Sequence, residues 1–107
     1  MSNLHRIEQL LKFLEEEPDN PFNLYALALE YQNHDLEQAA SYYDRLLEAH
    51  KEYLPTYYHA AAFYAERGEL ERAKKIYERG MDLAGKEQNQ MALRELKNAY
   101  QNFLFEN

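Results

Sequence analysis

Residues 55–73 read PTYYHAAAFYAERGELERA, and a histidine fenced by aromatic rings raises the question of an active site. The rest of the chain suggests a different rule. Leu70 and Ala73 begin a stripe that runs on through Tyr77, Gly80, Met81 and Ala84; 34 residues earlier stand Leu36, Ala39, Tyr43, Leu46, Leu47 and His50. Small residues return as small, tyrosine as tyrosine, and leucine as leucine at the start. The spacing i, i+3, i+7, i+10, i+11 is one face of an α-helix. Two helices of one kind are therefore expected, 34 residues apart.

Each is preceded by another helix. Leu24, Leu27, Ala28 and Tyr31 form one apolar stripe, and Tyr57, Ala60, Ala61 and Tyr64 form its counterpart at an offset of 33. The missing residue falls in the turn, where YQNHDLEQA is one shorter than YAERGELERA. Gly68 can adopt the left-handed conformation that ends a helix. The first copy has no glycine there, so Asn33 or His34 is expected to take that conformation. Asp35 followed by Gln38 reads as a capping box. Pro21 and Pro55 fall in first turns, where a missing N–H costs nothing.

Paired helices repeating every 34 residues resemble the tetratricopeptide repeat (TPR) family. The likeness rests on Leu24 and Tyr57, Leu27-Ala28 and Ala60-Ala61, Tyr31 and Tyr64, Ala39 and Ala73, Tyr43 and Tyr77, and covers residues 18–85. Leu46 and Gly80 depart from the alanine usual in the family, and Lys51 and Gly85 stand where a proline often closes the repeat. The layout also resembles small stand-alone bacterial members. The expected fold class is all-α: a right-handed TPR-like superhelix of antiparallel helix pairs, six helices in all. The expected organisation is a single domain over 1–107. It has an N-terminal capping helix (1–17, with Leu4, Ile7, Leu10, Leu11 and Leu14), repeats over 20–51 and 54–85, and a C-terminal capping helix. That last helix (88–105) carries Leu93, Leu96, Tyr100 and Phe103 on one face and a polar back, as a solenoid end requires.

Composition narrows the function. The chain has 107 residues, 46% of them hydrophobic and 29% charged, enough for one real core. It has no cysteine, so thiol nucleophiles, disulfides and thiolate metal sites are excluded. The first residues carry acids where a signal peptide needs a basic and then apolar run. The longest apolar run, Ala60 to Ala65, is far too short for a membrane span. A soluble, cytoplasmic protein with no membrane partner is expected. Residues 1–55 hold four basic and eleven acidic residues, and residues 56–107 hold eight of each. A net charge of −7 is the wrong sign for phosphate binding, so no nucleic acid is expected. An acidic first half would suit a basic partner.

No constellation for catalysis emerges. His5, His34, His50 and His59 include no i, i+4 pair, and no HExxH or phosphate-binding loop occurs. Consecutive Glu15, Glu16 and Glu17 point in different directions on a helix, so they read as a solvated helix end. No enzyme activity, metal or cofactor is expected. Five of the ten tyrosines (Tyr31, Tyr43, Tyr57, Tyr64 and Tyr77) sit on core stripes, whereas Tyr25 and Tyr58 do not. In the TPR fold the stripe beside the core on the first helices lines a concave groove. The resemblance thus implies a protein-binding groove lined by Phe22, Tyr25, Leu29 and Gln32, and by Tyr58, His59, Ala62 and Glu66. The clamp with which some members hold chaperone C-terminal tails would fall on Tyr25, Leu29, His59, Asn89 and Leu93. None is cationic, so no such tail is expected as partner. The expected function is a non-catalytic module that binds a peptide or helix of a protein partner. The alternatives are a groove filled by the C-terminal helix and self-association as a homo-oligomer, with Leu104 and Phe105 joining chains. ERAKKIYERG (71–80) also resembles half-a-TPR repeats of RNA-processing assemblies.

Overall fold

A computed structural model describes residues 2–107; Met1, the first residue of the expected capping helix, lies outside the described residues. Six helices and no strand occur among them: α1 (Ser2–Glu16), α2 (Pro21–Tyr31), α3 (Leu36–Ala49), α4 (Pro55–Glu66), α5 (Leu70–Lys86) and α6 (Gln90–Glu106). The all-α helical repeat read from the periodicity is thus present. The chain divides into two compact units, Met1–Tyr53 and Leu54–Asn107.

In the first unit α2 runs antiparallel to both neighbours. Arg6 of α1 pairs with Glu30 of α2 at 2.9 Å, and the Asn23 side chain donates to the Phe13 carbonyl at 3.4 Å. Leu24, Leu27, Ala28, Ala39, Tyr43 and Leu46 form the unit's buried interior. The Tyr43 hydroxyl donates to the Gln32 side-chain oxygen, and Tyr31 stacks on Tyr42 with centroids 5.8 Å apart. Alanines 28 and 39 have no exposed surface, as expected of positions where helix backbones approach closely.

The second unit repeats this pattern and adds α6. Arg72 lies over the Tyr64 ring at 4.1 Å and Arg79 over Tyr57 at 5.4 Å. Seven residues separate the partners on both helices, so an antiparallel pair keeps both contacts, each worth about 0.5–1 kcal/mol. A Cβ placed on Gly80 would lie 2.6 Å from the Tyr57 Cβ, so α5 meets α4 at a crossing too close for a side chain. Leu96 and Phe103 of α6 are buried, and Phe103 meets Tyr77 with centroids 5.5 Å apart.

Five local readings are corrected. Neither Asn33 nor His34 is left-handed; the first turn closes with the His34 and Asp35 N–H groups both donating to the Tyr31 carbonyl. Dropping one residue removes the need for the left-handed step. In the second turn Gly68 adopts φ +83° and the Glu69 N–H reaches back to the Tyr64 carbonyl, a Schellman ending. Asp35 caps α3 by accepting from the Glu37 and Gln38 N–H groups, but its own N–H is already taken by Tyr31, so the capping box is one-sided. Leu36 and Leu70, the first residues of their stripes, are exposed because a helix start projects past the core. Leu4 and Leu11 of α1 are likewise exposed, leaving Ile7 and Leu10 as that helix's buried residues, and Tyr31 is only half-buried.

Candidate functional site

The candidate residues lie on the first helix of each repeat, α2 and α4. On α2, Asn23 and Glu30 face α1 while Leu24, Ala28 and Tyr31 face α3. That leaves Phe22, Tyr25 and Leu29 on the remaining side. Phe22 is 53% exposed, and Tyr25 and Leu29 are half-buried. Pro21 opens the helix at N1 and the Asn20 side chain caps the Phe22 N–H at 3.0 Å, which sets where the Phe22 ring emerges. Tyr25 meets Tyr53 edge to face with centroids 5.7 Å apart. Burial, and then the neighbouring Tyr53, push the Tyr25 phenol above its ordinary range, so it acts as a neutral hydroxyl. Gln32 is turned inward to accept the Tyr43 hydroxyl.

On α4, Tyr57, Ala60, Ala61 and Tyr64 are buried, whereas Tyr58 is 43% exposed. Its ring packs edge to face on His59 with centroids 5.3 Å apart. Burial pulls the His59 imidazole below its ordinary pKa and favours the neutral ring. Ala62 is half-buried and Glu66 exposed at the helix end. The structure therefore leaves aromatic surface on both first helices, at Tyr25 and at its counterpart Tyr58.

Tyr53 escaped the periodicity argument. It lies in the connector between α3 and α4, outside any helical stripe, and only an aromatic residue in so short a loop could have marked it. Phe63 and Tyr42 were also missed, and both are core residues. Asn23 and Thr56 occupy the same place in the two first helices and are the buried polar residues among those described.

Among the described residues no group of three or more histidines and carboxylates could hold a metal ion. Among them, too, no helix is long and apolar enough to cross a membrane. What the two faces offer is aromatic area, with Tyr53 beside Tyr25 and the His59 imidazole beside Tyr58.

The profile of one protein family, described as tetratricopeptide repeat, matches residues 30–96. Two solved structures of a tetratricopeptide repeat domain protein from Salinibacter ruber are similar. The crystal structure is 32% identical with a TM-score of 0.74, covering 78% of this chain and 96% of that one. The solution structure is 33% identical with a TM-score of 0.76, covering 81% and 89%. No curated protein matches.

Proposed function

Because the chain belongs to the tetratricopeptide repeat family, a family of non-enzymatic interaction scaffolds, we propose that it receives a peptide or helix of a protein partner on its first-helix faces. The contact residues in this reading are Phe22, Tyr25 and Leu29 on α2, and Tyr58, His59, Ala62 and Glu66 on α4. Gln32 borders the first set through its own contact with Tyr43. The observation that carries the proposal is that one position in both first helices, Tyr25 and Tyr58, holds a tyrosine that neither core encloses. Tyrosine supplies large contact area at a low cost in side-chain entropy, which suits a binding surface better than a solvated one.

The test is a paired capture from the native cell with the wild-type chain and the Tyr25→Ala/Tyr58→Ala variant. Partners held by the wild type should be lost by a variant whose circular dichroism and melting temperature are nearly unchanged. If the variant unfolds, the tyrosines are core residues and the reading is wrong. It is equally wrong if the same partners remain bound.

A second reading, self-association, is favoured by Phe105, which is 94% exposed beside the half-exposed Leu104. Light scattering coupled to size-exclusion chromatography separates the two. A dimer that Phe105→Ser converts to monomer supports self-association.

A further inference from the structure

The first unit carries a combination that the second lacks. At one end of it the chain passes from α1 into α2 through Glu17, Pro18, Asp19 and Asn20, and it leaves α3 through His50 to Tyr53. Antiparallel packing brings these two loops to the same end, and the contact between Tyr25 and Tyr53 joins them. The Glu17 carboxylate is held there by the Asn20 side-chain N–H at 2.8 Å, while the other atom of that amide caps Phe22. Asp19 in the first loop and Glu52 in the second are exposed. Lys51, the single lysine in the two loops, is already engaged within the chain. Three carboxylates thus lie in the two loops at the end of the unit where Tyr25 meets Tyr53.

We propose that this aromatic and acidic end of the first unit takes a partner segment in which lysine or arginine alternates with apolar residues. The proposal rests on the interaction-module reading above and gives the partner its chemical class. Charge complementarity carries it. The first unit holds four basic and eleven acidic residues, and the second holds eight of each. Apolar side chains of such a segment would cover Phe22 and the edge of Tyr25. Its cations would meet the carboxylates and the ring faces, both of which attract positive charge. A second copy of the chain is a poorer occupant, because each copy brings a net charge of −7 and repels the other. An acidic tail would meet the same repulsion at this end.

The experiment uses the full chain and three fluorescein-labelled dodecapeptides read by fluorescence anisotropy. One alternates lysine with leucine and serine; in its twins the lysines become glutamine or glutamate. The lysine peptide should bind about tenfold more tightly than the glutamine twin at about 50 mM salt, with the advantage shrinking at about 300 mM. Asp19→Asn/Glu52→Gln should remove most of that advantage. Glu8→Gln/Glu37→Gln makes the same charge change away from this end and should leave it in place. Equal losses from the two variants would mean diffuse attraction to an acidic protein and would overturn the site. Equal binding of the lysine and glutamine peptides, or of none, overturns the basic class, while the paired capture still decides the interaction reading separately. If Asp19→Asn/Glu52→Gln instead dissolves a dimer seen by sedimentation, the occupant is a second copy and the proposal fails.

Discussion

A methyl group added at Gly80 has two opposing effects on the second unit. In the middle of α5, alanine is favoured over glycine by about 1 kcal/mol, because it restricts the unfolded chain and shields the helix backbone. Against this, the added Cβ would lie 2.6 Å from the Tyr57 Cβ, 3.1 Å from its Cγ and 3.3 Å from the Leu96 Cδ1. The leucine methyl is the end of a flexible side chain and can rotate aside. The Tyr57 Cβ cannot, since it is bonded to the α4 backbone and its ring is held by Arg79, whose guanidinium donates to the hydroxyl at 3.3 Å. Carbon atoms pack at about 3.5–4.0 Å, so α4 and α5 must separate by about 1 Å. Overpacking of this kind costs about 1–3 kcal/mol. The expected net effect of Gly80→Ala is a loss of about 1 kcal/mol, equivalent to a melting temperature lower by about 4–8 °C.

Gly85 supplies the comparison within the same helix. A Cβ there meets nothing within 4 Å, so Gly85→Ala should show the helix-propensity gain alone, up to about 1 kcal/mol. Urea unfolding followed by far-ultraviolet circular dichroism gives both values, provided that the slopes agree. If Gly80→Ala stabilises the chain as much as Gly85→Ala does, α5 does not approach α4 this closely and the crossing is misassigned.

Three further outcomes follow from single positions. Gln88 is left-handed, φ +57°, in the turn after α5, where the Asn89 N–H reaches the Ala84 carbonyl; Gln88→Gly should raise stability by about 1 kcal/mol in the same urea assay, and a loss would refute that conformation. The Thr56 hydroxyl is buried without a hydrogen-bond partner among the described residues, so Thr56→Val should stabilise the protein by about 1 kcal/mol, and a comparable loss would reveal a partner for it. His59 has a folded-state pKa below the ordinary 6.5, so the unfolded chain takes up its proton first as pH falls. Its contribution to stability should be constant above about pH 7.5 and decline as pH drops through about 6.5. Wild type should therefore lose more stability than His59→Gln between about pH 7.5 and about pH 5.5. Equal losses would show that burial does not disfavour the charged ring.

Periodicity exposed the helices and most of their buried residues because burial on a helix repeats with the helix. Ala39 and Ala73, the small residues that recur in the two stripes, are fully enclosed, and Gly80 lies where α5 meets α4 too closely for a side chain. The turns were less legible. Gly68 announces a left-handed residue by its type, but Gln88 takes the same conformation with no such mark, forced by the backbone bonds that end α5. Asn33 and His34 show the reverse case: residues tolerant of the left-handed region were expected to use it, and a turn shorter by one made it unnecessary.

The candidate faces were legible only as residues that the core did not claim, and that is a weaker kind of knowledge. Tyr25 and Tyr58 occupy one repeat position, yet their surroundings differ. The neighbour of Tyr25 is Tyr53, brought in by a connector, whereas that of Tyr58 is His59, the next residue along its own helix. A repeat explains what recurs, so it is silent about what sits in the connectors. The same holds for charge: Glu17, Asp19 and Glu52 have no periodic signature, and only the antiparallel packing of α1, α2 and α3 gathers their loops at one end. If a partner is chosen at that end, its selectivity resides in the connectors that differ between the units. The tyrosines common to both would supply contact area without discrimination. Exchanging residues 50–53 for the sequence of the α5–α6 turn should then change which peptides bind while leaving α2 folded. A swap that preserved the preference for the lysine peptide would place selectivity on the helices instead.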